Sequence, residues 1–382
     1  MMKRRSLLLA GPALMAGGFT GLSVTGAAAA QTHVIKFGQS ASLSGNQANY
    51  GKDIRAGMLA AFAAASKADA AKGLRYELVT LDDGGVKSRC ASNVSALIND
   101  GVSAIVGLTS GAGAEACLTA IQDSQIALLG TASGNMGIRK SAAGSVYHVR
   151  AGYDLEYQRM ANYVRDFGMR RVGVVTLQDT SQANQVALSE ALGAMNIKPK
   201  EVFSVDRNAQ SFTDVGNALL AANVDCVLFA TNATPVSAII DQMVSAKYAG
   251  MFYASSFAGQ ELIEVLVARK QSTVMSTVVP RTSAMGLTVV NRAQQDLLAS
   301  GLNARLGLTT LEGYIAGRIA VEAARQAIRA GGDRPSRARI RESVAGLRAD
   351  LGGYKVDFAA GSSHGSNFVE LVSVDRYGKL VG

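Results

Sequence analysis

The chain has 382 residues, of which 48% are hydrophobic and 18% charged, with a formal net charge of +9; that length suits two domains. Aromatics make up only 6% and include no Trp, while basic residues such as Lys198, Lys200, Arg281 and Arg292 are scattered. A nucleic-acid surface needs a basic stripe with interleaved aromatics, so that class is excluded.

Residues 1–30 read as an export signal, not as fold. Lys3, Arg4 and Arg5 form a basic start, Leu7 to Val24 an apolar core, and Ala28-Ala29-Ala30 a small-residue cleavage site. Cleavage after Ala30 removes three cations and takes the formal charge from +9 to +6. Arg4-Arg5-Ser6-Leu7-Leu8 also fits a twin-arginine signal loosely, so the export route stays open. No Cys lies near the cut, and no later apolar run reaches membrane-spanning length free of charge. The expected mature protein is soluble and periplasmic.

The first strand is expected at Val34–Ser40, followed by a polar loop to Gly51 and an Ala-rich helix over Asp53–Ser66. A second strand, Arg75–Leu81, ends in Asp82-Asp83-Gly84-Gly85; with Lys87 following, the two acids read as a turn and helix cap. A helix over Lys87–Asn99 leads to two apolar runs, Ala104-Ile105-Val106 and Ile126–Leu129, each ending in Gly, Thr and Ser. Strand and helix alternate at the spacing of right-handed crossovers in a parallel sheet. Ser145–Arg150 is extended but has no obvious place in that alternation.

A second series follows, with strands at Arg171–Leu177, Glu201–Val205, Val224–Ala230 and Met251–Ala254. Its helices run through Leu155–Phe167, Ala183–Met195, Phe212–Ala222 and Pro235–Ala246. Thr273–Val279 is extended again; helices are then expected over Thr288–Ser300, Thr310–Arg329 and Ser336–Leu347, and strands at Tyr354–Phe358 and Phe368–Val374. The fold class is α/β with two doubly wound parallel-sheet lobes. The chain returns helices to the first lobe after finishing the second, and several crossings make a hinge.

Ligands bind open α/β sheets outside the strands' carboxyl ends, and helix N-termini there suit anions. Thr109, Ser110, Thr131, Ser133 and Gly134 sit at two such ends, although the same residue types also serve as caps. Of the three cysteines, Cys226 lies in an apolar strand and reads as a small buried hydrophobe. Cys90 and Cys117 lie in consecutive helices and are the pair expected to be bridged, worth about 3 kcal/mol in the chain-entropy model.

Rival chemistry is weakly supported. Gly111-Ala112-Gly113-Ala114-Glu115-Ala116 fits G-x-G-x-x-A, but on a third strand, and the next strand lacks the acid a ribose needs. A dinucleotide-dependent enzyme is thus a remote alternative. Gly361-Ser362-Ser363-His364-Gly365 fits a nucleophile elbow, yet lies between strands with no later His. His33, His148 and His364 lack ligand spacing, so neither a metal nor a cofactor is expected.

The mature chain resembles the type I periplasmic solute-binding proteins, in particular the leucine/isoleucine/valine-binding branch. The resemblance rests on Ile35-Lys36-Phe37-Gly38, Ser42-Leu43-Ser44-Gly45, Tyr50-Gly51, Val79-Thr80-Leu81-Asp82-Asp83, Asn99 to Gly107, and Arg171-Val172-Gly173-Val174-Val175. It implies a hinged, non-enzymatic monomer that traps a small solute and hands it to an inner-membrane ABC-type permease. A sensor on the same fold, presenting its ligand state to a membrane receptor, is the alternative. Crossings are implied near Val149–Ala151, Met275–Pro280 and Leu351–Gly353, giving lobes 31–149 with 281–351 and 150–280 with 352–382.

The resemblance places a ligand carboxylate on Thr109, Ser110, Ser133 and Gly134. The whole cleft is then expected to include Ser42, Ser44, Tyr50, Thr131, Tyr153, Asp179, Asn232 and Ser255. In the second lobe the family's aromatics fall on Ser181 and Asn232, and its ammonium-binding acid on Ser255-Ser256. The nearest acid there, Glu261, lies inside the next helix, which leaves Asp179 to supply a charge. The expected ligand is therefore a carboxylate-bearing solute, an amino acid or a related organic or aromatic acid.

Overall fold

The computed structural model describes residues 32–140, 144–331 and 335–382; the expected signal segment and its cut at Ala30 lie outside them. The first series is β1 (His33–Ala41), α1 (Ala48–Ala68), β2 (Leu74–Asp82), α2 (Lys87–Asn99), β3 (Ala104–Val106), α3 (Gly111–Asp123), β4 (Leu128–Leu129), α4 (Met136–Lys140) and β5 (Val146–Tyr147). Its strands pair in parallel in the order β2-β1-β3-β4-β5. Ala104, Ile105 and Val106 are all buried, as a strand covered on both faces requires. The extended run with no evident place, Ser145–Arg150, supplies the edge strand β5.

The second series is α5 (Tyr153–Asp166), β6 (Val172–Leu177), α6 (Gln182–Ala194), β7 (Glu201–Val205), α7 (Thr213–Ala221), β8 (Cys226–Ala230), α8 (Ala233–Ser245), β9 (Met251–Ala254), α9 (Gly259–Ala268) and β10 (Thr273–Thr277). Then come α10 (Thr288–Ala299), α11 (Leu308–Arg329), α12 (Arg337–Ala345), β11 (Arg348–Asp350), β12 (Lys355–Asp357), β13 (Glu370–Val374) and β14 (Leu380–Val381). The second sheet runs β14-β13-β10-β9-β8-β6-β7, parallel from β7 to β10 and antiparallel where β13 and β14 extend it. In both sheets the first strand lies between the second and third, which puts a switch point at the carboxyl edge.

Helices α10 and α11 pack on α1 in the first lobe. Gly57 and Gly313 make this contact possible: a Cβ on Gly57 would enter the Thr310 carbonyl, and one on Gly313 the Ile54 carbonyl. Backbone thus meets backbone, and Ile54, Met58, Leu311 and Ile315 close the core around the crossing.

The chain leaves the first sheet after β5 and enters α5 at Tyr153, and leaves the second after β10 before α10. The third crossing differs from expectation. Leu351–Gly353 is the turn of the β11–β12 hairpin, with Gly352 and Gly353 at φ +81° and +106°. Beyond it the chain stays with the first lobe: His148 N–H donates to the Ser363 carbonyl (2.7 Å) and Gly365 N–H to the His148 carbonyl (2.8 Å). The second sheet is joined only at Glu370. The boundary expected at 351/352 therefore moves past Gly365, because left-handed glycines here close a hairpin.

Candidate functional site

Polar residues beyond the strand ends of both sheets meet at one cavity of ≈ 40 Å³. The first lobe contributes Thr109, Ser110 and Gly111 after β3, and Ser133 and Asn135 after β4. Each hydroxyl there accepts a backbone N–H: Thr109 Oγ1 from Ser42 (3.0 Å), Ser110 Oγ from Gly113 (3.0 Å), Ser133 Oγ from Asn135 (3.2 Å). A hydroxyl that accepts in this way still has its own hydrogen to donate. Gly111 and Ala112 line the same space with N–H groups from the unbonded first turn of α3. The dipole of that helix adds partial positive charge. This half of the cavity is built from donors and suits an oxyanion.

Tyr153 opens α5 and closes one side, with its Oη 3.5 Å from Ser133 Oγ and its ring centroid 6.2 Å from that of Phe257. Burial pushes the Tyr153 phenol above its ordinary pKa, so it stays a protonated donor. From the second lobe come Asp179, Thr180 and Asn184 around α6, Arg207 after β7, and Phe257 after β9. Arg207 Nη2 donates to Asp179 Oδ1 at 2.7 Å, and its guanidinium lies 5.8 Å from the Phe257 ring centroid.

Of the expected site residues, Thr109, Ser110, Ser133, Tyr153 and Asp179 line this cavity, and Gly134 lies beside it, its carbonyl accepting Tyr153 N–H at 2.9 Å. The others lie outside it. Ser42 donates its hydroxyl to Asp83 at 2.9 Å, and Ser44 serves the Asp82 turn. Tyr50 donates to the Ala132 carbonyl at 2.8 Å. Thr131 faces a void of ≈ 10 Å³ beside the crossings, and Asn232 Oδ1 accepts from Thr231. Ser255 is fully buried just past the end of β9. Each has the residue type a cleft uses, but local hydrogen bonds take the polar atoms of Ser42, Ser44, Tyr50 and Asn232, while Thr131 Oγ1 and Ser255 Oγ are buried away from this cavity without a partner.

Arg207, Phe257, Asn135 and Asn184 are cavity residues the sequence reading passed over. The rule that selects Thr109, a polar residue just past a strand's carboxyl end, also reaches Arg207 two residues beyond β7. Cys90 and Cys117 are side by side in α2 and α3, but as free thiols in hydrogen-bond contact, their sulfurs 3.9 Å apart, and not as the expected disulfide. A Cβ on Gly113 would come within 2.9 Å of Cys90 Sγ, so this glycine is needed where α3 meets α2. The G-x-G-x-x-A pattern is a packing feature. His148 and His364, distant in sequence, stack with centroids 5.4 Å apart, but no group of three metal-ligating side chains forms among the described residues.

A family model described as periplasmic binding protein matches residues 34–379. The chain belongs to the periplasmic binding protein family. That places it among binding proteins and not among enzymes. No curated protein matches the chain in sequence. A possible leucine/isoleucine/valine-binding protein from Rhodopirellula baltica SH 1 is 25% identical, with a TM-score of 0.84 over 93% of this chain and 97% of that one. A leucine-binding protein from Thermotoga maritima MSB8 is 17% identical, with a TM-score of 0.74 over 91% and 97%. An ABC transporter solute-binding protein from R. palustris, in complex with 4-hydroxybenzoate, is 16% identical, with a TM-score of 0.77 over 91% and 95%. These likenesses carry the two-lobed type I fold.

In this periplasmic binding protein the first crossing carries a buried charge cluster. Arg150 donates from Nη2 to Glu156 Oε1 (2.5 Å) and Ser256 Oγ (2.7 Å), and from Nη1 to Glu312 Oε1 (3.2 Å). Glu156 also accepts from Ser256 N–H (2.9 Å) and Ser276 Oγ (2.5 Å). Burial works against the charge on Arg150, but Glu312 and Glu156 outweigh it and raise its pKa. Burial likewise raises Glu312, with Arg150 opposing. The cluster ties α11 of one lobe to α5 and β9–β10 of the other through the crossing itself.

Proposed function

We propose that this protein is the exported substrate-binding component of an ABC-type importer, that it traps a small carboxylate-bearing solute between its lobes, and that an inner-membrane permease receives it. Export is directed by residues 1–30 and completed by cleavage near Ala30. The observation that carries the ligand class is the asymmetry of charge partners in the cavity. Thr109, Ser110 and the first turn of α3 are donors to an anion. Asp179, the carboxylate among the described lining residues, is already paired with Arg207. An amino acid's ammonium would have to break that pair or stay unpaired, and a buried unpaired charge costs several kcal/mol. Organic and aromatic acids escape that cost. A neighbour of the same fold in complex with 4-hydroxybenzoate agrees with an acid of this kind.

The cavity is far below the ~300–1,000 Å³ of small-molecule sites, so entry requires the lobes to part. The test is a thermal-shift panel pairing each amino acid with its deaminated acid, for example leucine with 4-methyl-2-oxopentanoate, alongside benzoates. Ligand at a hundred times its Kd stabilises by about 2.7 kcal/mol, a readily visible shift. The expected outcome is stabilisation by acids without an ammonium. Strong shifts with leucine, isoleucine or valine and none with the acids would reject the reading.

A further inference from the structure

Arg207 is held in the cavity in an unusual way. One edge of its guanidinium is fixed by Asp179, and the face lies over Phe257. Its Nε is buried and has no hydrogen-bond partner. A buried donor of a charged group is costly to leave unmade, and such atoms in native proteins call for an explanation. The pair is also uneven: Asp179 is 55% exposed and Arg207 21%, so the acid sits at the rim and the cation further in. Asn46 of the first lobe donates to Asn208 Oδ1 at 2.9 Å, fixing the loop that carries Arg207 across the cleft.

We infer that Arg207 is the specificity-determining residue of this cleft and receives a second anionic oxygen, at the far end of a solute whose first carboxylate lies on Ser110 and Thr109. The ligand class is then a small two-ended acid, with a flat apolar body between the Tyr153 and Phe257 rings. This rests on the carboxylate reading above and adds the second charge to it. Arg207 Nε–H meets the far oxygen while Nη2 stays with Asp179, so Asp179 orients the cation and also competes with the ligand for it. Because the Arg207 loop is joined to Asn46 only when the lobes meet, the far end of the ligand is sensed on closure.

The experiment is calorimetry of the ligand-free protein with two probe pairs, benzoate against benzene-1,4-dicarboxylate and hexanoate against hexanedioate. A charge-assisted hydrogen bond predicts about 10–100-fold tighter binding for the diacid of at least one pair. Arg207→Gln should erase that advantage by weakening the diacid far more than the monoacid, while Arg207→Lys, which keeps the charge without the Nε–H, should recover only part of it. Asp179→Asn, which removes the competitor, should tighten diacid binding further. Equal affinity for mono- and diacids, or an advantage that survives Arg207→Gln, overturns the inference and leaves the carboxylate reading standing. If neither mono- nor diacids bind while amino acids do, the carboxylate reading fails and this inference with it.

Discussion

Glu156 is the residue on which most of the buried polar structure depends. Its carboxylate meets Arg150, Ser256 and Ser276, and its side chain is fully buried. Removing one partner of a buried ion pair leaves the other uncompensated, typically at ~3–5 kcal/mol. Glu156→Ala should therefore lose stability of that order in urea unfolding. The exposed Arg165–Asp166 pair should give less than ~1 kcal/mol for the same truncation. Equal losses at the two sites would mean that Glu312 alone satisfies Arg150. None of this was legible in the sequence, since Arg150 and Glu156 are six residues apart across the start of α5 while Ser256, Ser276 and Glu312 lie more than a hundred residues away, and only the fold brings them together. Cleft hydroxyls were partly legible. Ser110 and Ser42 follow strands in the same way, yet Ser42 is spent on Asp83, because the chemistry of a cap and of a ligand donor is the same.

Among the helices, α1 against α11 sets the geometry of the first lobe. The Gly57–Gly313 contact leaves no room for side chains, since each Cβ would enter a carbonyl of the facing helix. Gly313→Ala must push the helices apart or bend them, and overpacking of this kind costs typically ~1–3 kcal/mol. Gly193→Ala, on the outside of α6 where a Cβ meets nothing, should instead be neutral or slightly stabilising through helix propensity. A thermal melt of both variants checks the contrast, and a Gly313→Ala protein as stable as wild type would show that the crossing can relax. Long helices and buried strands such as α2 and β9 are where the sequence expected them, because periodicity and capping specify them locally. The short strands β11 and β14 are not, as two or three residues carry no period. Pairing with distant partners makes them strands. The same long-range pairing, between His148 and the Ser363–Gly365 segment, keeps the chain in the first lobe past Gly353.

Closure of the whole molecule joins more than the ligand cavity. On another side of the lobe interface, Gln260 of α9 reaches the start of α11: its N–H donates to Thr309 Oγ1 at 3.0 Å, and its Oε1 accepts Leu308 N–H at 3.2 Å. Beside this contact runs a groove of ≈ 710 Å³ between α1 and α9, lined by Asp53 and Glu264 together with Lys52, Arg55 and Arg305. Burial first, and then Glu264 and Glu261, raise Asp53 to about 6. A carboxyl whose pKa is raised by approach of the lobes binds its proton more tightly in the closed form than in the open one. Its contribution to closure is complete below the ordinary value of 3.8 and is lost as pH rises through about 6. The ligand-free protein should therefore open across that window. Small-angle scattering should show its radius of gyration increasing from pH 4 to pH 6.5. Asp53→Asn should remove most of that increase, because it keeps the side chain's size and removes the charge facing Glu264 and Glu261, leaving the share of Glu261, which burial and then Glu264 also raise. The same increase in Asp53→Asn would assign the pH response to other groups, with Glu312 in the hinge cluster the next to replace.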